Sequence, residues 1–78
     1  MNLWIRSQDK IVLMKVDTLS LAIDEEGTIL GCGTDGNIKG KLANYKTNER
    51  ALEVLDEIQA YINSDVMFNL NVFEMPKE

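Results

Sequence analysis

The sequence contains no histidine and only one cysteine and one proline. Because the chain has no histidine, catalytic triads with a serine or cysteine nucleophile are excluded, and so are metal sites with histidine ligands. The single cysteine, Cys32, has no second cysteine in the chain with which to form a disulfide, and a lone thiol is typical of a reducing compartment. These absences leave few groups for catalysis, so we expect a protein that is not an enzyme and that holds no metal and no cofactor.

A long apolar run is also missing. No stretch approaches the ~20 residues that span a bilayer, and residues 1–5 lead into Arg6 without the apolar core of a signal peptide. We therefore expect a cytoplasmic protein with no membrane partner. The 78 residues predict a single domain, 1–78, and a chain of this size buries only roughly 60% of the surface that its unfolded form exposes. Because no disulfide or evident metal site stabilises so small a core, we expect a homo-oligomer.

Positive charge is scarce in the C-terminal part of the chain. Residues 1–46 carry six Lys/Arg and six Asp/Glu, whereas residues 47–78 carry two and seven, which gives the net charge of −5. Affinity for nucleic acid comes from Lys and Arg that displace counterions, so we expect no nucleic-acid partner. The balanced N-terminal part is compatible with a site for a small anion.

What the chain does contain is a series of short apolar stretches with the period-two alternation of strands. Turn residues at 24–27 predict a hairpin with Glu26 and Gly27 near its tip. The glycines within residues 31–37 predict a loop, and Gly40 predicts a bulge. The predicted strands are residues 3–6, 11–23, 28–30, 38–45 and 66–75, and the second of them, which comprises 11–16 and 19–23, bends or restarts near Asp17 and Thr18.

One helix is predicted over residues 48–63. Thr47 or Asn48 is suited to cap it, and Glu49 in the first turn complements the positive end of the helix dipole. Apolar residues recur at three- and four-residue spacings and form one stripe opposite an acidic face. We predict an α+β fold in which an antiparallel sheet carries this amphipathic helix on one face, in the order β-β-β-β-α-β. The stripe comprises Ala51, Val54, Leu55, Ile58, Tyr61 and Ile62, and the acidic face comprises Glu49, Glu53, Asp56 and Glu57.

Two patterns resemble catalytic or cofactor motifs. Residues 31–36 have the spacing G-x-G-x-x-G after an apparent strand, but residues 37–41 lack the helical period that a dinucleotide site requires. We interpret this stretch as a hairpin loop. Glu53 and Glu57 lie one turn apart on the exposed helix face, where a solvated acidic surface is a simpler interpretation than a catalytic carboxylate pair. We therefore expect no catalytic residue.

The residues with the most functional character are Trp4, Arg6, Gln8 and Lys10. Alternate positions of a strand that leads into its turn point one way, and here they combine an aromatic plane with hydrogen-bond donors. One interpretation is an adenine-like ring stacked on Trp4 with phosphates held by Arg6 and Lys10. The other is a core tryptophan beside surface charges. Arg50, near the start of the helix, either adds to this anion site or pairs with a glutamate one turn on.

Three stretches of the sequence resemble a family of small phage and prophage proteins of Gram-positive bacteria. They are residues 3–10 (LWIRSQDK), 45–59 (YKTNERALEVLDEIQ) and 73–78 (FEMPKE). Small phage proteins of this kind, where understood, are often inhibitors of host defence. The order of strands, helix and closing strand is also similar to that of the sponge proteins that counter Thoeris. Those proteins sequester nucleotide messengers, such as cyclic ADP-ribose isomers, in oligomers of small α+β subunits.

The similarity to the sponge proteins lies in this order and does not extend to individual ligand-binding residues. Many family members are also longer, with a second helix where this chain has only residues 64–71. The resemblance implies a non-enzymatic anti-defence protein that binds and sequesters a nucleotide immune signal, either a cyclic ADP-ribose isomer or a cyclic oligonucleotide. The predicted ligand-binding residues are Trp4, Arg6, Gln8, Lys10 and Arg50.

Two other functions stay open at this point. One is a protein inhibitor that docks the acidic helix face on a basic surface of a defence or host enzyme. The other is a structural or regulatory protein with no ligand at all. Net charge is compatible with both, and no residue pattern excludes either.

Overall fold

Six short strands and one helix make up the described part of the chain. The computed structural model describes residues 3–33, 37–63 and 72–78. The elements are β1 (Leu3–Arg6), β2 (Leu13–Val16), β3 (Thr18–Leu21), β4 (Thr28–Cys32), β5 (Ile38–Asn44), α1 (Asn48–Ile62) and β6 (Val72–Glu74). The α+β class and the predicted element order are confirmed, with β2 and β3 as the two parts of the stretch expected to bend near Asp17.

The strands form two three-stranded sheets, with the orders β2-β1-β6 and β3-β4-β5. β6 runs parallel to β1, and the other neighbouring strands are antiparallel. The sequence predicts a single antiparallel sheet, but the structure has two sheets. The closing strand is also parallel to its neighbour β1, where an antiparallel strand is expected. The division arises at Asp17, whose main-chain N–H donates to the Cys32 oxygen at 3.0 Å. Because this bond begins the pairing with β4, β3 joins the second sheet.

The glycine-rich loop begins later than the sequence predicts, because Gly31 and Cys32 belong to β4. Gly31 pairs with Gly40, and a Cβ at position 31 would meet the Met14 sulfur and a Val16 methyl, each at 3.0 Å. Glycine at this position therefore leaves room for the side chains of β2 that pack onto the second sheet. Residues 34–36 of the predicted loop lie outside the described residues.

The irregularity expected near Gly40 is present in β5. Gly31 pairs with Gly40, but the next residue of β4, Cys32, pairs with Ile38. Lys39 is therefore the extra residue of a β-bulge, which bends the strand at this point. A second shift in register lies between Ile29 and Leu30 of β4.

α1 begins and ends where its sequence predicts. Thr47 has extended backbone angles, and its Oγ1 accepts a hydrogen bond from the Arg50 main-chain N–H at 3.1 Å, which satisfies one of the free amides of the first turn. Asn63 forms the C-cap. Three residues of the apolar stripe, Ala51, Val54 and Ile58, are buried, and the helix lies against β3 and β4. The amphipathic pattern is thus used to cover one face of the second sheet.

The core joins the two sheets, the helix and the end of the chain. Full burial of a side chain the size of isoleucine stabilises the fold by ~1.5–3 kcal/mol. Phe73 of β6 packs against this core and meets Tyr61 edge-on, with ring centroids 5.5 Å apart. Of the strand predicted over residues 66–75, the structure has Val72–Glu74, and residues 66–71 lie outside the described part. The largest fully buried side chains are Ile5, Thr28, Ile29, Leu42, Val54, Ile58 and Met75.

Candidate functional site

Trp4 and Arg6 lie on one face of the sheet β2-β1-β6, the face turned away from the core. Their neighbours Leu3 and Ile5 are buried, whereas Trp4 and Arg6 are half-buried. Trp4 lies opposite Lys15 and Val72, and Arg6 lies opposite Leu13 and Glu74. Residues directly opposite each other in a sheet share a face. We call these six residues the outer face: Trp4, Arg6, Leu13, Lys15, Val72 and Glu74.

The turn after β1 uses Arg6 and Lys10 for structural contacts. Lys10 adopts a φ of 71°, a left-handed conformation that is uncommon for lysine, and Arg6 Nη1 donates to the Lys10 oxygen at 3.0 Å. The Ser7 hydroxyl donates to the Asp9 carboxylate at 2.6 Å, and this bond, with one from the Ile11 amide, lowers the pKa of Asp9. Polar side chains of residues 3–10 therefore stabilise the turn itself.

Lys10 reaches the outer face through an ion pair. Its Nζ lies 2.7 Å from Glu74 Oε1, and this hydrogen bond lowers the pKa of the Glu74 carboxyl. Both side chains are more than half exposed, so the pair adds little to stability. A phosphate near Trp4 would therefore compete with Glu74 for Lys10 and with the Lys10 main-chain oxygen for Arg6.

Gln8 does not join Trp4 and Arg6, because β1 ends at Arg6 and the alternation of the strand does not continue into the turn. The Gln8 main-chain N–H donates to the Leu42 oxygen at 2.8 Å, and its Oε1 accepts from the Asn44 N–H at 2.8 Å. Since the Asn44 amide is a donor, Oε1 must face it, and Nε2 is directed at the Lys77 oxygen, 2.7 Å away. Gln8 therefore links the first sheet to β5 and to the end of the chain.

Tyr45 follows β5 directly and is only 4% exposed. Its hydroxyl donates to the Pro76 oxygen at 2.7 Å. Burial raises the pKa of Tyr45 to about 12, although the nearby Arg50 charge opposes this shift. The hydroxyl is therefore a hydrogen-bond donor throughout the physiological pH range.

Arg50 lies on the first turns of α1, above the ring of Tyr45, with its guanidinium carbon 5.6 Å from the ring centroid. Nη1 donates to Glu53 Oε1 at 3.1 Å and to Glu57 Oε2 at 3.2 Å. Nε and Nη2 both donate to the main-chain oxygen of Glu78, at 3.1 and 2.7 Å. The simpler sequence interpretation, a pair with Glu53, is thus present, and Arg50 also contacts the end of the chain.

Gln8, Tyr45 and Arg50 line one depression of about 460 Å³, which we call the cleft. Its volume lies within the range of small-molecule sites. Two of its cations, Lys46 and Lys77, have no ion-pair partner within residues 3–33, 37–63 and 72–78, whereas Arg50 is paired with acidic residues of its own helix. The cleft is lined by Gln8, Asn44, Tyr45, Lys46, Arg50, Lys77 and Glu78.

The wall of the cleft at the start of α1 is braced by the hairpin tip between β3 and β4. Glu26 accepts a hydrogen bond from the Asn48 main-chain N–H at 2.8 Å, which satisfies a first-turn amide and places a carboxylate at the positive end of the helix. Gly27 has a φ of +74°, and its N–H donates to Asn48 Oδ1 at 2.7 Å. A Cβ at position 27 would lie 2.0 Å from the main-chain oxygen of Tyr45, so only glycine fits.

The predicted site residues therefore divide between two places. Gln8 and Arg50 lie in the cleft, whereas Trp4 and Arg6 lie on the outer face and Lys10 contacts it through Glu74. Sequence reasoning missed Tyr45, Lys46 and Lys77 as members of the site. Their only signal is that each belongs to one of the stretches that carry the family resemblance.

Neither a cofactor motif nor a metal cluster is found in the described ranges. The G-x-G-x-x-G stretch leads into β5, a strand, so no helix N-terminus is available there for a pyrophosphate. Within residues 3–33, 37–63 and 72–78, no three Cys, Asp or Glu side chains come together as metal ligands would.

Comparison with known proteins adds no relative. No protein-family model, no curated protein and no solved structure matches the chain. In the described part of the chain, no helix has the length and apolar character needed to cross a membrane.

Proposed function

We propose that this chain is a non-enzymatic phage or prophage anti-defence protein that binds and sequesters a small nucleotide immune signal in the bacterial cytoplasm. The messengers expected from the family resemblance are cyclic ADP-ribose isomers and cyclic oligonucleotides. The ligand site is the cleft. Arg50 and Gln8 bind phosphate oxygens there, and the Lys46 and Lys77 charges attract the anion.

A single observation carries this proposal: the three sequence stretches that carry the resemblance meet at the cleft. Gln8 comes from residues 3–10, Tyr45 and Arg50 come from residues 45–59, and Lys77 comes from residues 73–78. Gln8 and Lys77 are bonded across 69 positions of sequence. Residues from all three stretches therefore line this one cleft.

Charge supports the choice of the cleft over the outer face. Phosphate recognition favours a planar guanidinium with hydrogen-bond donors around it. The Arg50 guanidinium is paired with acidic residues of its own helix, but the cleft adds an amide donor from Gln8 and two lysines free of ion pairs among the described residues. On the outer face, Lys10 is paired with Glu74 and Arg6 is bonded within its own turn.

Calorimetry tests this function directly. Well-folded protein is titrated with cyclic ADP-ribose isomers and with cyclic dinucleotides and trinucleotides, and we expect saturable binding of at least one. No heat with any of them would refute nucleotide binding. Recovery of intact nucleotide after denaturation of the complex is expected for sequestration, whereas recovery of a cleaved product would contradict the non-enzymatic assignment.

The active form is proposed to be a homo-oligomer, as the small core suggests. The outer face supports this, because Leu13 and Val72 are each 43% exposed beside half-buried Trp4. Trp4 would then serve assembly and not stack on a base. Light scattering of the wild-type chain and of Trp4→Glu is expected to give a multimer and a smaller species, and a monomeric wild-type chain would contradict this assignment.

A second candidate function is inhibition of a host or defence enzyme through the acidic face of α1. The observation that favours it is the exposure of Leu52, at 50%, among Glu49, Glu53 and Asp56. An apolar side chain ringed by carboxylates suits a basic protein surface.

The test of this candidate reverses the charges of Glu49 and Asp56, because Glu53 and Glu57 hold Arg50 in place. The expected result is a host protein captured by the wild-type chain in a salt-sensitive manner and lost by Glu49→Lys/Asp56→Lys. Equal capture by both chains would reject the acidic face as the docking surface.

A further inference from the structure

Residues 75–78 run from the core to the cleft, which Lys77 and Glu78 line, and they are held by hydrogen bonds of their main chain. Met75 is 1% exposed, and its N–H donates to the Arg6 oxygen at 3.1 Å. Each of the next three main-chain oxygens then accepts a hydrogen bond from a different side chain. Pro76 accepts from Tyr45 at 2.7 Å, Lys77 from Gln8 at 2.7 Å, and Glu78 from Arg50 at 3.1 and 2.7 Å.

Two of these three donors are the groups that the proposed function assigns to the ligand. The Nε and Nη2 atoms of Arg50 form one edge of the guanidinium, and a guanidinium commonly grips a phosphate through two parallel N–H bonds. That edge is occupied by the Glu78 oxygen, and the Gln8 amide is occupied by the Lys77 oxygen. A phosphate can use these donors fully only after the two main-chain oxygens have left.

Within residues 75–78, exposure to solvent increases from the first residue to the last. Met75 is buried in the core and Pro76 is half-buried, whereas Lys77 and Glu78 are exposed. Residues 77 and 78 can therefore leave the cleft without exposing apolar core surface, while Met75 cannot. The displacement would require the loss of hydrogen bonds at a solvent-exposed site, where each contributes little net free energy.

We propose that Lys77 and Glu78 form a displaceable strap, which occupies the Gln8 and Arg50 donors in the free protein and yields them to an anionic ligand. This inference rests on the proposed function, since it concerns the regulation of the same cleft. The strap acts as an internal competitor, so the apparent affinity equals the intrinsic affinity multiplied by the fraction of molecules in which the strap is open.

The test compares two chains that lack the same side-chain charges. One ends at Pro76, and its matched control is the full-length Lys77→Gln/Glu78→Gln chain, which retains the strap main chain. Both are prepared as C-terminal amides, and inorganic pyrophosphate is the probe. Because residues 77 and 78 supply only exposed hydrogen bonds, we expect the shorter chain to bind pyrophosphate about fivefold to twentyfold more tightly.

Each outcome decides a separate point. Equal affinities of the two chains overturn the strap and leave the proposed function intact. Absence of pyrophosphate binding by both chains also overturns the strap. Calorimetry with the nucleotides then decides the proposed function on its own.

A measurement on the wild-type chain covers the case in which the shorter chain does not fold. The ¹⁵N heteronuclear NOE of the Lys77 and Glu78 amides is expected to be high in the free protein and to fall when pyrophosphate saturates the cleft. Amides that stay rigid in the saturated protein would overturn the strap.

Discussion

The cleft and the outer face each combine an aromatic ring with an arginine, but the two pairs are held very differently. In the cleft, Tyr45 is 4% exposed, its hydroxyl is bonded, and Arg50 lies over its ring. On the outer face, Trp4 and Arg6 are half-buried neighbours on a strand, and Arg6 contacts its own turn. The hydrogen bonds from Gln8 to Lys77 and from Arg50 to Glu78 span 69 and 28 positions of sequence, whereas the hydrogen bond from the Arg6 side chain to Lys10 spans four. The Arg6 side chain is thus held within its own turn, whereas Gln8 and Arg50 are brought to the cleft by tertiary structure.

The largest effect is expected behind the cleft, at Gly27. Gly27→Ala would place a methyl group 2.0 Å from the main-chain oxygen of Tyr45. It would also force alanine into the left-handed backbone conformation of Gly27. We expect this change to lower the free energy of unfolding by roughly 2–4 kcal/mol. Gly40→Ala is the matched control, because its Cβ meets only the Met14 methyl, at 3.4 Å, and its cost should be below about 1 kcal/mol. Urea unfolding measures both, and equal costs would contradict the packing of the hairpin tip against Tyr45.

A smaller effect is expected for the side chain that joins the cleft to the first sheet. Gln8→Ala removes the bonds to Asn44 and Lys77 and leaves the Asn44 amide without its acceptor. Because both bonds are exposed to solvent, we expect a loss of about 0.5–1 kcal/mol in the free energy of unfolding. The control is Gln59→Ala on the exposed side of α1, which should be neutral or slightly stabilising because alanine favours helix. Equal free energies of unfolding for the two variants would contradict the role of Gln8 as a link between the first sheet and β5.

The last effect is absent at neutral pH and appears only at high pH, where the buried Tyr45 hydroxyl ionises. The pKa of Tyr45 is raised from 10.0 to about 12, so the folded state retains a proton that the unfolded state releases. The corresponding stability is present below pH 10 and is lost as the pH rises from 10 through 12. In Tyr61→Phe, where Tyr45 is the sole tyrosine, absorbance at 295 nm should rise only near pH 12. A rise near pH 10 in protein that remains folded would show that Tyr45 is accessible to solvent.

Local patterns predicted the helix and the hairpin tip well. The Thr47 cap and the three- and four-residue spacing of Ala51, Val54 and Ile58 depend on neighbours in sequence, and α1 follows them. The two sheets could not be predicted this way, because the bend at Asp17 depends on a bond to Cys32 and alternation does not show that β6 runs parallel to β1.

The candidate site was predicted only in part for a related reason. Strand alternation singles out Gln8 and the position near the helix start singles out Arg50, and both residues line the cleft. Tyr45 was missed because it resembles a core residue in the sequence, and Lys77 was missed because its position beside Gln8 depends on the path of the chain after β6. Trp4 and Arg6 were grouped with Gln8 by an alternation that ends with the strand.

The most direct test of the central claim compares two arginines of the same chemistry in the two regions. Arg50→Gln in the cleft and Arg6→Gln on the outer face each remove one positive charge, and circular dichroism first verifies that both variants fold. Titration with the nucleotide that binds the wild-type chain should show affinity reduced at least about tenfold in Arg50→Gln and changed less than about threefold in Arg6→Gln. A loss confined to Arg6→Gln would assign the ligand to the outer face and contradict binding in the cleft.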